Sequence, residues 1–264
     1  MGQSEAKLTR SALDAALIEQ ELLSLGQTSV HLEVRQSVGS TNDEVVPYLS
    51  ALAEHNLVVM TADEQTAGRG RLDRSWSSPH AAGIALTMAL PISQVSGELT
   101  SVPLRAGLAV QRALLSMDIS VTVKWPNDIV SNQGHKVGGL LSVVRDQNVL
   151  VGIGLNVSLT HDELPTTTST SLSILGHDVS REQLIARIVH EFYAAVSQAE
   201  WLSDYEKVSA TLGQHVTLHR QGLPGVNGKV VSFAPDGSIV IDSEAGQQSF
   251  SIGDVEHLRP SEEI

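Results

Sequence analysis

The stretch from position 61 to position 76 constrains the fold and chemistry of this chain most strongly. It begins after the apolar run 57–60, which has the composition of a buried β-strand. Two glycines and three arginines then stand close together: Gly68, Arg69, Gly70, Arg71 and Arg74. A core strand that leads directly into such a sequence predicts a functional loop at one edge of a sheet.

Glycine lets the backbone approach a ligand closely, and arginine presents a planar donor pair suited to phosphate or carboxylate. A solvated loop with its arginines in water is the simpler interpretation. Three arginines within six positions, followed by Trp76, favour an anion-binding loop instead. We expect this loop to be mobile until a ligand arrives.

The overall charge of the chain indicates which kind of anion this loop would bind. The chain of 264 residues has 17 basic and 30 acidic side chains, a formal charge of −13, which disfavours broad contact with nucleic acid. A local cationic loop in an acidic protein fits a small anionic ligand. The chain has no cysteine, which excludes disulfides and thiol catalysis. We expect a cytoplasmic protein without a signal peptide or membrane span.

The pattern of elements predicts two domains. Residues 1–208 alternate apolar strands with amphipathic helices, and Pro47 predicts a broken or kinked helix after the polar turn 39–42. Residues 209–264 change to short β segments separated by Gly, Pro and Asp, which is typical of a small β-barrel. The Ser/Thr-rich segment 166–171 is expected to be a surface loop.

Four polar clusters follow predicted strands, where α/β sheets place their ligands. They are Ser40-Thr41-Asn42, the segment from Gln65 to Trp76, the segment from Lys124 to Asp128, and Lys136-Val-Gly138-Gly139. A fifth sequence, Gly152-Ile-Gly154-Leu-Asn156, lacks the third glycine of a dinucleotide-binding fingerprint. This segment predicts a strand whose glycines let another group approach the backbone closely. We expect the Asn156 amide of this strand to face a ligand.

The sequence lacks the motifs of several other classes of enzyme. The chain contains no Walker loop, no Gly-x-Ser-x-Gly elbow and no pair of histidines with zinc-helix spacing. The adjacent acids Asp63 and Glu64 have the character of ordinary polar flanks. Trp125, next to Pro126, is expected to anchor the core, and Lys124 could simply pair with Asp128.

Taken together and in this order, the five motifs resemble those of bacterial biotin–protein ligases. The resemblance covers about residues 30–260, and it is closest to the short class that lacks an N-terminal DNA-binding domain. It implies an α/β (α+β) fold: a mixed sheet with helices on one face, similar to class II synthetases, followed by a small SH3-like β-barrel. Family members often have Leu-Ala where this chain has Val137-Gly138.

The resemblance implies a two-step reaction. Biotin and ATP give biotinyl-5′-AMP, and a lysine of a biotin carboxyl carrier domain of an acyl-CoA or pyruvate carboxylase then takes the biotin. It implies Mg²⁺ with ATP, without a dedicated metal site of the protein, no DNA partner, and a monomer or weak homodimer.

Residue roles follow from the same resemblance. Catalysis is expected at Lys136, Arg69 and Asp128. Biotin binding is expected at Ser40, Thr41, Asn42, Gln65, Gly68, Arg69, Gly70, Arg71, Lys136, Gly138 and Gly139. Nucleotide binding is expected at Arg71, Arg74, Trp76, Lys124, Asn127, Lys136 and Asn156.

Two alternatives stay open. A lipoate–protein ligase is similar in fold and in adenylate chemistry, although the Gly-Arg-Gly-Arg sequence and the C-terminal β domain favour biotin. A regulator that binds biotinyl-AMP without catalysis belongs to a different class. The charge of −13 argues against the DNA contact that such a regulator needs.

Overall fold

A computed structural model describes residues 10–72 and 74–257. The α-helices are α1 (Ala15–Ser24), α2 (Thr41–Glu44), α3 (Val102–Leu115), α4 (Arg181–Ser197) and α5 (Leu202–Val208). The strands of the first part are β1 (Val30–Val38), β2 (Leu57–Arg69), β3 (Ser75–Ser78), β4 (Gly83–Pro91), β5 (Val121–Lys124), β6 (Asp128–Ser131), β7 (Lys136–Arg145) and β8 (Asn148–Asn156). Those of the second part are β9 (His215–Arg220), β10 (Leu223–Phe233), β11 (Ile239–Ser243), β12 (Gly246–Phe250) and β13 (Asp254–His257).

The first eight strands form one mixed sheet, as the family resemblance implies. Its order is β1-β2-β4-β8-β7-β6-β5, with β3 paired to β2 outside this path. The pair β1–β2 is parallel, and the other neighbours are antiparallel. The central strand β4 is buried along most of its length, so it reads as a continuous apolar run rather than an alternating one.

Helices α1, α3 and α4 share the main hydrophobic core with the sheet. Part of the opposite face is covered by a 3₁₀ segment, Val46–Ala53, packed against a smaller cluster that includes Val58 and Met60. The broken helix predicted at Pro47 is confirmed, because α2 ends at Glu44 and the 3₁₀ segment starts two residues later. Proline cannot donate the backbone hydrogen bond that a continuous α-helix requires there.

The prediction of a loop over residues 61–76 is wrong for most of that stretch. Strand β2 continues to Arg69, and β3 pairs back onto it, with Gln65 opposite Ser78 and Arg69 opposite Ser75. The stretch is therefore a β-hairpin, and the backbone N–H of Gly70 donates to the carbonyl of Arg74 at 2.6 Å where β2 ends. Its polar residues stay in a strand because β1 and β3 supply backbone partners on both sides. We call it the arginine hairpin.

Asp63 is not a solvated flank. It lies on β2 with 3% of its surface exposed, and its carboxylate contacts Arg181 at 2.8 Å and the backbone N–H of Leu13 at 3.0 Å. Such a pair costs about 3–5 kcal/mol to break from one side, because the remaining charge stays buried. It fixes β2 against α4 and against the segment before α1.

The second part is a five-stranded antiparallel sheet in the order β12-β11-β10-β9-β13, which confirms the predicted small β unit. It shares the main core with the first part, and the rings of Tyr205 and Phe233 meet edge-to-face at 5.1 Å. Trp125 is 1% exposed and donates its indole N–H to the carbonyl of Gly237 at 2.9 Å. The predicted anchor at Trp125 is confirmed, and a division at 208/209 stays a prediction.

The segment 166–171 is only half a surface loop. Positions 166–168 are exposed, whereas Thr170 and Ser171 are buried. Lys136 and Ser169 form a parallel bridge, so the segment closes one side of the site described below. Within the described ranges, none of the helices has the length and apolar character needed to cross a bilayer.

Candidate active site

One cavity of about 440 Å³ lies where the large sheet meets the C-terminal sheet. Almost all the site residues predicted from the sequence line it: Ser40, Thr41, Asn42, Gln65, Arg69, Gly70, Arg71, Arg74, Trp76, Lys124, Asn127, Asp128, Lys136, Gly139 and Asn156. Gly68 and Gly138 do not line it. The five sequence motifs thus converge on a single site although they span more than a hundred positions.

One end of this cavity is neutral and is lined by Ser40, Thr41, Asn42 and Gln65. The Gln65 side-chain carbonyl accepts from the Thr41 backbone N–H at 2.8 Å and lies 3.0 Å from the Thr41 hydroxyl. Ser40 and Thr41 are only 5% and 3% exposed. The hydroxyls and amides here are donors and acceptors without net charge, as recognition of a neutral polar ring requires. We call this region the neutral end.

Asn42 is not a simple helix cap. The residue at the cap position of α2 is Ser40, and its side chain makes no capping hydrogen bond. The Asn42 carbonyl instead lies 2.7 Å from the Thr87 hydroxyl on β4. The Asn42 side chain therefore connects the start of α2 to the buried strand β4.

The other end of the cavity carries the positive charges, and we call it the cationic end. Lys136, at the start of β7, places its Nζ 2.6 Å from Asp128 and 5.9 Å from the centre of the Trp76 ring. The lysine that pairs with the Asp128 carboxylate is thus Lys136 and not Lys124. Lys124 pairs with Asp128 only through the backbone of β5 and β6, and its side chain lines the cavity.

The three arginines are held by carboxylates of the chain itself. Arg69 pairs with Asp43 at the surface. Arg74 contacts Asp254 at 2.8 Å, and Arg71 lies 3.3 Å from the same carboxylate. Arg71 also lies 3.3 Å from the side-chain carbonyl of Asn127. Two of the three cations therefore share one anion, which β13 supplies.

The glycines around the cavity make room for neighbouring side chains. A Cβ on Gly154 would lie 2.2 Å from the Trp76 ring, and a Cβ on Gly152 would lie 2.7 Å from the Asn42 carbonyl oxygen. The predicted close approach along β8 is confirmed, with these two side chains as the partners. Gly68 and Gly138 are needed behind the cavity wall, since a Cβ on either would collide with backbone or side-chain atoms at 2.3–2.6 Å.

The two asparagines predicted beside the nucleotide are both fixed by the backbone. The Asn127 amide donates to the Leu140 carbonyl at 2.7 Å, and the buried Asn156 amide donates to the Thr170 carbonyl at 2.9 Å. Each therefore presents its remaining polar atoms in one orientation, which suits recognition of a ligand edge.

Sequence reasoning missed one side of the site. The C-terminal sheet contributes His219, Asp254, Val255 and Glu256 to the lining, and the loop after β8 contributes Pro165, Thr166, Thr168 and Ser169. No motif marks them, because their approach depends on how the C-terminal sheet packs against the first part. His219 pairs with Glu256 at 3.1 Å at this rim.

His257, on β13, adds no positive charge at neutral pH. Burial, with a smaller contribution from the charge of Lys124, lowers the pKa of its imidazole to about 4. Its Nε2 lies 3.3 Å from the Thr211 hydroxyl, which also accepts from the Trp125 backbone N–H. The charge of the cationic end therefore comes from lysine and arginine.

Comparison with known proteins agrees with this geometry. A model of the Biotin/lipoate A/B protein ligase family matches residues 34–159. The biotin–[acetyl-CoA-carboxylase] ligase of Mycobacterium tuberculosis (strain ATCC 25618 / H37Rv) is 30% identical and covers 95% of this chain and 97% of its own length. The bifunctional ligase/repressor BirA of Escherichia coli (strain K12) is 27% identical over 69% of this chain and 60% of that protein.

Solved structures give the same result. The biotin protein ligase from Aquifex aeolicus in complex with biotin and ATP superposes with a TM-score of 0.73 at 28% identity, over 87% of this chain and 99% of that one. The Leishmania major biotin protein ligase in complex with biotinyl-5-AMP gives 0.59 at 27% identity over the same shares. Fold and cavity thus define an α/β ligase domain with a C-terminal β-sheet unit. The chain belongs to the biotin protein ligase family, as its five motifs predict.

Proposed function

We propose that this protein activates biotin with ATP to biotinyl-5′-AMP and then transfers the biotin to one lysine of a biotin carboxyl carrier domain. The carrier belongs to an acyl-CoA or pyruvate carboxylase. The observation that carries the proposal is a single cavity with a neutral hydrogen-bonding end and a cationic end. Biotin has the matching layout, because its ureido ring is neutral and its chain ends in a carboxylate.

In the first step a biotin carboxylate oxygen attacks the α-phosphorus of ATP and pyrophosphate leaves. Two anions must approach each other, so cationic stabilisation and alignment dominate the catalysis. Lys136 and Arg69 meet the carboxylate and the α-phosphate, and Arg71 and Arg74 hold the phosphates. Trp76, Lys124, Asn127 and Asn156 surround the nucleotide.

In the second step the carrier amine attacks the acyl carbon of the mixed anhydride, and AMP leaves. The amine attacks as the neutral base, and the proton that it loses on forming the amide passes to water. Asp128 orients the amine by accepting a hydrogen bond from it, and it can do so once Lys136 moves from Asp128 to the ligand. The 2.6 Å pair of these residues is the resting arrangement from which both steps begin.

Mg²⁺ enters with ATP and is held mainly by the phosphates. The described ranges contain no cluster of three or more His, Asp or Glu side chains placed to hold a metal ion. The carboxylates nearest the phosphate-binding arginines are already paired with them. We propose further that the protein acts in the cytoplasm as a monomer or weak homodimer, without a DNA partner.

The test is biotin-dependent ATP–pyrophosphate exchange by wild type, Lys136→Ala and Lys207→Ala. Loss of the Lys136 charge should lower the exchange rate about 10²–10³-fold, or about 3–4 kcal/mol, by analogy with the loss of one transition-state donor. Lys207 is the matched control because it pairs with Asp204 on α5, outside the cavity lining.

Each outcome has a distinct meaning. Exchange that requires lipoate or octanoate instead of biotin would replace the proposal with the lipoate ligase alternative. Binding of biotinyl-AMP without exchange would support a non-catalytic regulator. A purified carrier domain that takes up no biotin from an active enzyme would overturn the assignment of the second substrate.

A further inference from the structure

The neutral end depends on a residue behind it. Thr87 lies on β4, fully buried, opposite Gly152 in the register of β4 and β8. Its hydroxyl oxygen is 2.8 Å from the Thr41 hydroxyl and 2.7 Å from the Asn42 side-chain carbonyl. We propose that Thr87 is a positioning residue for biotin, which orients Thr41 and Asn42 toward the ureido ring. The inference rests on the proposed function.

Counting protons gives the direction of these hydrogen bonds. A threonine hydroxyl carries one proton, and an amide carbonyl oxygen carries none. The Thr87 hydroxyl therefore shares its single proton between two acceptors, the Thr41 hydroxyl oxygen at 2.8 Å and the Asn42 carbonyl at 2.7 Å. The Thr41 hydroxyl directs its own proton to the Gln65 carbonyl at 3.0 Å.

The same count shows what remains for a ligand. With its proton directed to the Gln65 carbonyl, the Thr41 hydroxyl oxygen keeps one lone pair as an acceptor, and the Asn42 amide keeps its two N–H donors. A ureido group has the complementary pair, N–H donors beside a carbonyl acceptor. A ligand head without such groups leaves these buried atoms unpaired, and sites of this kind reject such analogues strongly.

The contacts of the Thr87 hydroxyl differ from those of a buried threonine hydroxyl that bonds only to the backbone. Its hydroxyl contacts side chains that line the cavity, whereas the hydroxyl of Thr61, on the adjacent strand β2, contacts only the Ala85 backbone carbonyl at 2.9 Å. Thr87 itself does not line the cavity, so it acts through Thr41 and Asn42. Gly152 leaves the space in which the Asn42 amide is held.

The experiment compares Thr87→Val with Thr87→Ser and with Thr61→Val in steady-state ATP–pyrophosphate exchange. Thr87→Val keeps the shape but removes the hydroxyl and leaves the Asn42 carbonyl without its donor. We expect the KM for biotin to rise about tenfold or more, with the KM for ATP and kcat within about twofold of wild type. Thr87→Ser should restore the wild-type KM for biotin. Thr61→Val loses a buried hydroxyl without touching the site, so it should leave the KM for biotin unchanged.

A double-mutant cycle with Asn42→Ala tests whether Thr87 acts on biotin binding through Asn42. If Thr87 acts through Asn42, Thr87→Val should raise the KM for biotin much less in the Asn42→Ala background than in wild type. Additive effects would overturn the proposed route. So would a Thr87→Ser enzyme as impaired as Thr87→Val, because the hydroxyl would then not be the relevant group. If Thr87→Val does not fold, as judged by circular dichroism, Thr87→Ala, which also removes the hydroxyl, replaces it in the comparison with Thr87→Ser and in the cycle with Asn42→Ala.

Failure of this inference is distinguishable from failure of the proposed function. A wild-type enzyme without biotin-dependent exchange would contradict the function itself. An active wild type whose KM for biotin does not change in Thr87→Val would contradict only the role of Thr87.

Discussion

The two ends of the cavity are built on different principles. At the neutral end, Thr41 and Thr87 are almost completely buried and their partners are neutral. At the cationic end, the side chains of Arg69 and Arg74 are 55% and 69% exposed and are paired with carboxylates. Under the proposed function, shape and hydrogen-bond direction select the ligand at the neutral end, while charges that can change partners carry the chemistry at the cationic end.

The same strands form both ends. On β2, Gln65 faces the neutral end and Arg69 begins the turn of the arginine hairpin. On β8, Gly152 opposes Asn42, and Gly154 opposes the ring of Trp76. Residues two apart on a strand point to the same face, so β8 serves both ends with Gly152 and Gly154. On β2, the register with β3 shifts between Gln65 and Gly68, so an irregularity in the pairing separates Gln65 from Arg69.

The largest effects are expected from substitutions of the two glycines on β8, because each substitution should impair only one end of the cavity. Gly152→Ala should raise the KM for biotin, because the new Cβ displaces Asn42. Gly154→Ala should raise the KM for ATP, because the Cβ displaces Trp76. Overpacking costs about 1–3 kcal/mol, so each increase should lie between about fivefold and a hundredfold. Exchange kinetics measure both constants.

Gly107→Ala is the control for these two substitutions. A Cβ at this position in α3 meets only a methyl of Val123 at 3.5 Å, an ordinary contact, and alanine favours a helix. It should leave both constants unchanged and raise the melting temperature slightly. If Gly152→Ala and Gly154→Ala raised both constants equally, the division of the cavity into two ends would be wrong.

A smaller effect is expected at Asp254. In the proposed reaction the phosphates of ATP replace this carboxylate beside Arg71 and Arg74, so Asp254→Asn removes an internal competitor and should lower the KM for ATP several-fold. The matched control is Asp204→Asn, since Asp204 also pairs with two cations, Arg112 and Lys207, away from the cavity. An increase in the KM for ATP would instead show that Asp254 holds the two arginines in place.

The smallest expected effect is a pH dependence of stability at His257. The pKa of this residue is about 4 in the folded protein, below the ordinary value of 6.5, so the unfolded chain binds the proton first as pH falls. The contribution of neutral His257 to stability is complete above pH 6.5 and is lost between pH 6.5 and about 4.

Thermal melts of wild type and His257→Gln at pH 7, 5.5 and 4.5 measure this contribution. Wild type should lose a few degrees more than the variant over the interval, because glutamine does not titrate. Parallel curves would contradict a neutral His257 and would add a titrating charge to the cationic end.

The contrast between the two ends also shows how far the sequence can be interpreted. Lys136, Trp76 and the three arginines were predictable because each belongs to a short motif at the end of a strand. Asp254 was not, since it acts on residues about 180 positions away. Thr87 was not either, because a single hydroxyl in the run Gly83–Pro91 has the appearance of an ordinary core position.

The error over residues 61–69 has a different origin. Polar side chains such as Glu64 and Thr66 suggest a loop, but backbone pairing with two neighbouring strands determines the conformation. The large sheet was predictable from apolar runs, whereas register and the packing of the C-terminal sheet depend on contacts distant in sequence.

If ATP binds at Arg71 and Arg74 as proposed, their pairing with Asp254 makes nucleotide binding an exchange of anions. The phosphates then displace one carboxylate as they reach the two guanidinium groups. Dissolved salt weakens the internal ion pair and the new one alike, so the two screening effects partly cancel. Affinity for ATP should therefore change little with ionic strength, although the ligand is highly charged and the arginines are exposed. On this proposal, the ion pairs that connect the arginine hairpin to β13 also limit the effect of salt on ATP binding.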